Sequence, residues 1–313
     1  MENRLRIITK RRYGNVSPLR YPGGKATLAG FFEDLITQLG LHCPTYVEPY
    51  AGGAGAGVAL LQENIIDQLV INDINNAVYA FWHCVKHENE WLVEQIQNIP
   101  LTVDEWRAQR ATYQADDTSD LRALGLAFFY LNRTNRSGIL NAGVIGGLAQ
   151  TGTYKIDARF NRNTLSERVA ALGKVADRIM IHNLDGRQVL EKYGDTPNTL
   201  IYIDPPYVAT GGSLYLNSFG VYDHGALAEQ VEHISHAHWI LTYDDHSLVR
   251  KLYNNQFLVE LEITYSATKP GKATELLVAS KDAARVITDF LLPAHTELIL
   301  SRVLSPNRKR KES

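Results

Sequence analysis

The opening part of the chain contains an order of elements that few folds can accommodate. A short apolar strand at 46–48 runs into the glycine-rich turn PYAGGAGAG at 49–57, and an apolar helix follows the turn. A second strand at 68–71 ends in the acid Asp73, before a helix at 75–87. Strand, glycine turn, helix, strand and acid in this order are typical of the unit that begins a nucleotide-binding α/β sheet.

The alternation of strands and helices is then interrupted and later resumes. Residues 88–132 are helical in pattern, and residues 133–163 are rich in Gly, Asn, Thr and Arg and lack periodicity. An irregular stretch of this kind inside a compact domain is usually functional. Strand patterns return beyond it, with helical patterns between them, at 178–182, 199–203, 238–242, 257–265 and 275–279.

This interruption predicts a division of the chain into an α/β catalytic domain and an inserted module. We expect the first, cofactor-binding part of the catalytic domain at 1–84 and its second part at 176–292. A mostly helical insertion is expected at 85–175, and a basic, flexible tail at 293–313.

Composition excludes several classes of protein. No apolar run in the 313 residues approaches the length of roughly 18–20 that a membrane-spanning helix needs. The basic N-terminal stretch is followed by no apolar signal core. Cys43 and Cys84 stand in unrelated surroundings and form no metal or redox spacing. We therefore expect a cytoplasmic protein.

The distribution of charge is more informative than its sum. The formal net charge of −2 gives no indication of a nucleic-acid partner. Basic residues nevertheless gather at the start of the chain, in the middle and near the end, where Arg308–Lys311 form a run. Such local patches can bind phosphates on a neutral protein, and they can equally be solvated surface.

The glycine-rich turn and Asp73 point to a nucleoside ligand. Backbone N–H groups of a glycine turn can approach a ligand closely because no Cβ intervenes. An acid about 20 residues beyond such a turn commonly accepts both hydroxyls of a ribose. Asp73 could instead cap the helix that follows it. Since the phosphate-binding spacings GxGxxG and GxxxxGK[ST] are missing, a cofactor without a pyrophosphate fits better than NAD or ATP.

The stretch TLIYIDPPY at 199–207 ends a buried strand with an acid, two prolines and a tyrosine. The carboxylate of Asp204 and the carbonyl of Pro205 can form a paired acceptor, held stiff by Pro205 and Pro206. Such a pair suits an NH₂ group on an aromatic ring, and the face of Tyr207 could stack on that ring. A rigid turn with a capping aspartate remains the alternative.

Five motifs together resemble the Dam-type (D12 class, α-group) DNA adenine N6-methyltransferases, over residues 17–281. They are LRYPGGK at 19–25, EPYAGGAGAG at 48–57, NDIN at 72–75, FFYLNR at 128–133 and DPPY at 204–207. The resemblance implies a Rossmann-like S-adenosylmethionine-dependent sheet with an inserted target-recognition domain. It also implies methyl transfer to N6 of an adenine flipped out of double-stranded DNA, without a metal.

The resemblance carries roles onto individual residues. The implied catalytic residues are Asp204, Pro205, Pro206 and Tyr207. The implied cofactor-binding residues are Tyr21, Lys25, Glu48, Gly52, Gly53, Gly55, Asp73 and Asp204. In the insertion, residue type favours base contacts for Arg133, Asn135, Arg136, Ser137 and Asn141, and phosphate contacts for Lys155, Arg159 and Arg162.

Three questions stay open at this stage. Relatives that recognise GATC carry an aromatic residue and an arginine where this chain has Arg136 and Asn141, so GATC specificity does not follow. A relative that binds DNA and cofactor without reacting is one alternative. A methyltransferase acting on another amino group, such as cytosine N4, RNA or a protein amide, is another. The enzyme would work in a restriction–modification or defence system, with a cognate nuclease or defence partner, or as an orphan.

Overall fold

The computed structural model describes residues 2–9, 13, 14, 16–20, 25–208, 219–265, 271–289 and 296–303. In this part of the chain, nine strands form one sheet. They are β1 Glu2–Thr9, β2 Thr45–Glu48, β3 Gln68–Asn72, β4 Ile179–His182, β5 Thr199–Ile203, β6 His238–Asp244, β7 Phe257–Tyr265, β8 Gly271–Ala279 and β9 Thr296–Val303.

Helices connect most of these strands. They are α1 Ala29–Gln38, α2 Gly55–Gln62, α3 Asn76–His87, α4 Asn89–Asn98, α5 Val103–Ala115, α6 Leu121–Thr134, α7 Arg162–Gly173, α8 Gly186–Tyr193, α9 Val221–Glu232, α10 Ser247–Leu252 and α11 Lys281–Thr288. Short 3₁₀ turns lie at Ala26–Leu28, Arg136–Gly138, Ile156–Arg159 and Ala176–Arg178. No helix in the described ranges is both long and apolar enough to cross a bilayer.

The order of strands in the sheet is β4-β3-β2-β5-β6-β8-β7-β1-β9. The strands from β4 to β6 are parallel, whereas β8 runs antiparallel to both of its neighbours. The chain builds outward from β2 in one direction and from β5 in the other, so the order reverses between these two strands. In open α/β sheets, ligands bind outside the carboxyl ends of the strands at such a reversal.

The sheet is covered on both faces, and β5 shows why. Leu200 and Tyr202 belong to a hydrophobic cluster with α1, α2 and α3, while Ile201 and Ile203 belong to a second cluster with α8, α9 and α10. Successive side chains of a strand point to opposite faces, so a strand buried on both sides is apolar throughout. The continuous apolar run TLIYI thereby fixes β5 in the centre of the molecule.

The helices between β3 and β4 pack as an extension of the first cluster. Helix α6 lies against α3, with the rings of Phe81 and Phe129 stacked at 5.6 Å between centroids. Gly125 permits this approach, because a Cβ there would lie 2.6 Å from the carbonyl oxygen of Ala80. One hydrophobic cluster therefore runs from the sheet into the inserted helices. The insertion boundaries of 85–175 stay a prediction.

The structure differs from the prediction at the chain ends. The tail predicted to be flexible contains β9, which pairs antiparallel with β1 along eight residues, from Glu2 opposite Val303 to Thr9 opposite Thr296. Strand β1 in turn pairs in parallel with β7. The sequence did not predict this strand, the flexibility of the tail stays a prediction, and residues 304–313 lie outside the described residues.

Candidate active site

The candidate site lies at the carboxyl ends of β2, β5 and β6, beside the reversal of strand order. Asp204 follows directly after β5 and keeps 23% of its side chain exposed. The Thr242 hydroxyl, on β6, donates a hydrogen bond of 2.8 Å to Asp204 Oδ1. The Tyr202 hydroxyl lies 2.8 Å from the Thr242 hydroxyl. Because Thr242 donates to the carboxylate, Tyr202 is left to donate to Thr242, and the two hydroxyls hold Asp204 in a fixed orientation.

Lys25 joins the N-terminal motif to the DPPY turn. Its ammonium lies 3.2 Å from Asp204 Oδ2 and 3.4 Å from Oδ1, and it donates to the Tyr207 hydroxyl at 2.6 Å. Tyr207 in turn donates to Glu275 Oε1 at 2.7 Å, and Glu275 Oε1 lies 3.4 Å from the ammonium. Since the side chains of Lys25 and Glu275 are only 4% and 5% exposed, the four polar groups form a largely buried cluster that reaches solvent at Asp204 and Tyr207.

Glu275 and Thr242 were not predicted from the sequence. Both lie in apolar strands, Glu275 at the start of ELLVA and Thr242 within HWILTYD. A charged residue such as Glu275 before a fully buried apolar run is a weak indication of a functional site. A threonine inside a strand, such as Thr242, gives no such indication. Their partners are distant in sequence, so only the strand order brings them together.

The buried side chain of Glu48 hydrogen-bonds to the backbone at the end of the glycine turn between β2 and α2. The carboxylate of Glu48 accepts the N–H of Gly57 at 2.9 Å. Burial raises the pKa of Glu48 to about 8; the hydrogen bond from Gly57 opposes this rise and the nearby charge of Asp204 adds to it. Gly52 and Ala54 have the left-handed φ values of 47° and 43°. The turn therefore has a strained backbone shape immediately before the helix N-terminus.

Asp73 ties the end of β3 to the glycine turn. Its carboxylate accepts the N–H of Gly52 at 3.0 Å and the N–H of Asn75 at 2.9 Å. Burial raises the pKa of Asp73 to about 6, against the lowering effect of these two hydrogen bonds. Helix α3 is capped by Asn75, whose side chain accepts from Ala77 and Val78. The alternative reading of Asp73 as the helix cap is thus incorrect.

Asn72, at the end of β3, contacts two loops at the same edge of the sheet and was not predicted as a site residue. Its side-chain amide donates to the carbonyls of Pro49 and Leu184, and its oxygen accepts from the N–H of Leu184. Each of these hydrogen bonds is between 2.8 and 3.0 Å long, and the residue is fully buried. Asn72 therefore holds the glycine turn against the loop that precedes α8.

The predicted cofactor residues Lys25, Glu48, Gly52, Gly53, Gly55 and Asp73 lie on the segments that surround this edge of the sheet. The Ser17 hydroxyl donates to the carbonyl of Gly53 at 2.7 Å, so the N-terminal segment also rests on the turn. Tyr21, the remaining predicted cofactor residue, lies outside the described residues.

The predicted DNA-contacting residues fall into two groups. Five are exposed along the irregular segment after α6, and for these a DNA contact stays a prediction: Arg136, Ser137, Asn141, Lys155 and Arg159. The other three, Arg133, Asn135 and Arg162, bind within the protein.

Asn135 and Arg162 have structural roles, so their assignment to DNA is corrected. Asn135 is fully buried, accepts from the Trp106 indole N–H at 2.7 Å and donates to the carbonyls of Ile139 and Leu140. Its hydrogen-bonding groups are used in shaping the loop. Arg162 donates to the carbonyls of Ile96 and Ile99 at 2.6 and 2.5 Å, which satisfies the end of α4.

Arg133 donates to the carbonyls of Arg159 and Pro18 at 2.9 and 3.4 Å. Burial, together with the positive charges of Arg20, Arg168 and Arg159, lowers the pKa of Arg133 to about 9. Because this guanidinium already donates to two backbone carbonyls, it is not free to form a paired hydrogen bond with a base. Direct base contact by Arg133 is therefore not supported.

The fold and this cluster are those of an α/β enzyme whose ligands bind at the carboxyl ends of the strands, beside the strand-order reversal. The chain belongs to the family of D12 class N6 adenine-specific DNA methyltransferases, whose profile matches residues 21–267. The predicted family, fold class and activity are confirmed: the protein is an adenine-specific DNA methyltransferase with a mixed α/β fold.

Two relatives extend this result. The type II methyltransferase M.MjaIII of Methanocaldococcus jannaschii is 24% identical over 219 residues, which are 66% of this chain and 73% of the relative. The type II methyltransferase M.CviBI of Paramecium bursaria Chlorella virus NC1A is 21% identical over 254 residues, 79% of this chain and 90% of the relative. The crystal structure of PH1948 from Pyrococcus horikoshii aligns with 87% of this chain and 91% of its own, with 9% identity and a TM-score of 0.34, which is too low to support an argument.

Proposed function

We propose that this chain transfers the methyl group of S-adenosylmethionine to N6 of an adenine flipped out of double-stranded DNA, with Asp204 orienting the amino group. The observation that carries the proposal is the fixed orientation of the Asp204 carboxylate at the end of β5. Thr242 holds this carboxylate, Lys25 neutralises it, and the hydroxyl of Tyr207 shares the same lysine.

The donor set around the strand ends fits S-adenosylmethionine. The cofactor carries a sulfonium and an ammonium, and four carboxyl groups surround this edge of the sheet: Glu48, Asp73, Asp204 and Glu275. Asp73 is a partly buried acid at the end of the second strand of the unit, which suits ribose hydroxyls. When bound, the cofactor supplies an electrophilic methyl carbon.

Asp204 and the carbonyl of Pro205 form the acceptor pair for the adenine amino group. Two hydrogen bonds to that group draw its lone pair out of conjugation with the ring and direct it along one line. Positioning of two reacting atoms in this way supplies much of the barrier reduction in a displacement. As the nitrogen gains positive charge, the Asp204 carboxylate stabilises it and is placed to receive the proton that the product amine must lose.

Lys25 has a defined part in this sequence of events. Its ammonium lies where it satisfies Asp204 and Tyr207 together. The arriving amino group would replace Lys25 on Asp204, and the adenine ring would stack on Tyr207. Stacking of a base on an aromatic side chain contributes about 1–3 kcal/mol, which offsets part of the few kcal/mol that base flipping costs.

The biological setting follows from the relatives. Both curated relatives are type II methyltransferases. We infer that this chain acts in the cytoplasm, where a type II modification enzyme protects DNA beside a cognate nuclease. Activity as an orphan enzyme would use the same chemistry.

The test compares Asp204→Asn with the exposed control Asp104→Asn. We expect Asp204→Asn to lower single-turnover methyl transfer from labelled cofactor by about 10²–10³-fold, because an amide cannot stabilise the developing charge. Cofactor affinity should change by less than a few-fold, and Asp104→Asn should leave the rate unchanged.

Mass spectrometry of the digested DNA identifies the product. N6-methyladenine from the wild-type enzyme supports the proposal. Label in N4-methylcytosine, or undiminished transfer by Asp204→Asn, would contradict it. Methylation-sensitive sequencing of the intact methylated DNA gives the recognition sequence. We propose that Arg136, Ser137 and Asn141 contact the bases and that Lys155 and Arg159 contact phosphates.

A further inference from the structure

Four arginines gather where the N-terminal segment meets the end of α6, and the chemistry described so far uses none of them together. They are Arg20, Arg133, Arg159 and Arg168. In the following paragraphs they are called the arginine cluster.

Backbone contacts build the cluster and fix its position. Arg133 donates to the carbonyls of Pro18 and Arg159, and Arg168 donates to the carbonyl of Ser17 at 3.1 Å. Hydrogen bonds thus connect the segment 17–20 to the elements that carry the other arginines. Arg133 lies on α6, Arg168 on α7 and Arg159 in the turn before α7.

Arg20 is held in place by its own backbone. Its N–H donates to the side-chain oxygen of Asn132, and its carbonyl accepts from the side-chain amide of Asn132, both at 2.8 Å. On the other side Gly138 approaches so closely that a Cβ there would lie 2.7 Å from the carbonyl oxygen of Arg20. The Arg20 side chain is therefore mounted on a rigid support rather than on a free loop.

The charge of the cluster is not balanced within the described part of the chain. None of the ion pairs found there involves any of the four arginines. The guanidinium nitrogen Nη1 of Arg20 is buried and finds no acceptor among the described residues. Burial and mutual repulsion lower the pKa of Arg20 and of Arg133.

Such an arrangement is costly unless an anion completes it. Charged groups withdrawn from water are normally paired, and a buried donor without an acceptor, such as Nη1 of Arg20, is destabilising. Guanidinium groups bind phosphate through planar, paired N–H donors. A repulsive group of arginines on a rigid support is therefore preorganised for a phosphate.

The short sequence separation between Arg20 and Lys25 limits how far the bound phosphate can lie from the flipped adenine. Arg20 precedes Lys25 of the candidate site by five residues, and five residues span at most about 18 Å. Phosphates follow one another at about 3.4 Å of helix rise along one DNA strand. The bound phosphate would thus lie within about five nucleotides of the flipped adenine.

We propose that the arginine cluster is a seat for one backbone phosphate of the target duplex close to the flipped adenine. This inference rests on the proposed function only in taking DNA as the ligand. It assigns Arg20 and Arg168 to DNA binding, and it changes Arg133 from a base reader to a member of a phosphate seat.

The first experiment measures how the affinity for a non-specific duplex depends on salt, by fluorescence anisotropy. The variants are Arg20→Gln and Arg168→Gln, and Arg285→Gln on α11 is the exposed control. Arg168 is assigned to DNA only by this inference and donates to the carbonyl of Ser17, so its substitution is a second test if Arg20→Gln fails to fold. We expect the slope of log K against log salt to become shallower by about one for the first two variants and to stay unchanged for Arg285→Gln.

The second experiment replaces single phosphates of the methylated sequence with neutral methylphosphonates. We expect one linkage within about five nucleotides of the adenine to weaken wild-type binding about tenfold, and the same replacement to have little further effect on Arg20→Gln. Additive losses from the variant and the neutral linkage would overturn the proposal.

The remaining outcomes separate this inference from the proposed function. If wild-type protein binds and methylates DNA while the variants keep its salt slope, the phosphate seat is wrong and the proposed function stands. If wild-type protein does not bind DNA, the proposed function fails first. Binding of inorganic phosphate can be measured as thermal stabilisation at constant ionic strength. If phosphate binds the cluster but Arg20→Gln does not change DNA binding, the cluster is a site for a free anion, and the proposal is also overturned.

Discussion

At the scale of single residues, the hydroxyl of Thr242 shows how a site is held by atoms that take no part in the reaction. Thr242→Val removes the donor to Asp204 Oδ1 and leaves the Tyr202 hydroxyl without its partner. Because hydrogen bonds to charged groups contribute about 1.5–3 kcal/mol, we expect the single-turnover rate to fall at least about tenfold with little change in cofactor affinity. Thr242→Ser keeps the hydroxyl and should retain most of the rate. Equal losses in both variants would show that only packing matters.

The second residue-scale prediction concerns Asp73 and pH. Its pKa is raised to about 6 in the unliganded protein, and the ionised form is the one that can accept both ribose hydroxyls. Cofactor affinity should therefore strengthen as the pH rises through 6. At pH 5 roughly one molecule in ten carries the ionised acid, so the Kd should be about tenfold higher than at pH 8. Isothermal titration calorimetry across this range tests the expectation.

The matched variant is Asp73→Asn, which does not titrate. Its cofactor affinity should be low at every pH and independent of pH between 5 and 8. A wild-type affinity that is also flat over this interval would remove Asp73 from the cofactor site.

Some residues of the site were predictable from their position at the end of a strand, and others, such as Lys25 and the individual glycines of the turn, only from the resemblance. Asp204, Asp73 and Glu48 each close a strand, and that position marks them. Thr242 and Glu275 lie inside strands, and the side chains that they contact, Asp204, Tyr207 and Lys25, are far away in sequence, so no local pattern reveals them. Asn135 shows the opposite error, because its residue type suited a base edge whereas its burial and its three hydrogen bonds stabilise a loop.

At the scale of elements, the packing of α2 on the sheet depends on Gly57. A Cβ at this position would lie 2.5 Å from Leu69 Cδ1 and 2.8 Å from Glu48 Oε1. Gly57→Ala should therefore lower the free energy of unfolding by about 1–3 kcal/mol, as overpacking of a core does. Gly225→Ala in α9 is the matched control, since a Cβ there has nothing within 4 Å. That helical substitution should be neutral or stabilising by up to about 1 kcal/mol.

Urea denaturation measures both variants. A shift of the midpoint without a change in slope reports stability alone. If Gly57→Ala were as stable as wild type, α2 would have to move away from the strand, and the support that Glu48 gives to the glycine turn would be overstated.

The elements themselves followed the periodicity of the sequence wherever the core is deep. The strand at 199–203 was predicted at its observed position because a local apolar pattern governs it. Helix α11 was missed. So were β1 and β9, whose pairing partners lie at opposite ends of the chain. Such pairing is a property of the whole sheet and not of either segment.

At the scale of the whole molecule, the buried carboxyl group of Glu48 couples stability to pH. Its pKa is raised from 4.5 to about 8, so the folded state binds a proton that the unfolded state releases. The stability that this proton contributes is fully present below pH 4.5 and is lost as the pH rises to about 8. Glu48→Gln does not titrate, so its stability relative to wild type should increase over this interval by at most about 1.4 kcal/mol per pH unit.

Chemical denaturation at pH 5.5, 7 and 9 tests this expectation, with the exposed Glu63→Gln as control. The difference between Glu48→Gln and wild type should grow with pH, while the difference for Glu63→Gln should stay constant. A gap that shrinks at alkaline pH would mean that Glu48 is ionised in the folded protein.

The pairing of β1 with β9 brings the two ends of the sheet-forming chain close together, so the chain could be closed into a ring. Glu2 lies opposite Val303, and paired strands are about 5 Å apart. Residues 304–313 and Met1 are therefore long enough to serve as a linker if Ser313 is joined directly to Met1. A circularly permuted gene that opens instead in the exposed turn at 116–119 would keep every strand next to its present neighbours. It would also place new termini on the helical insertion, where fused reporter domains could be attached.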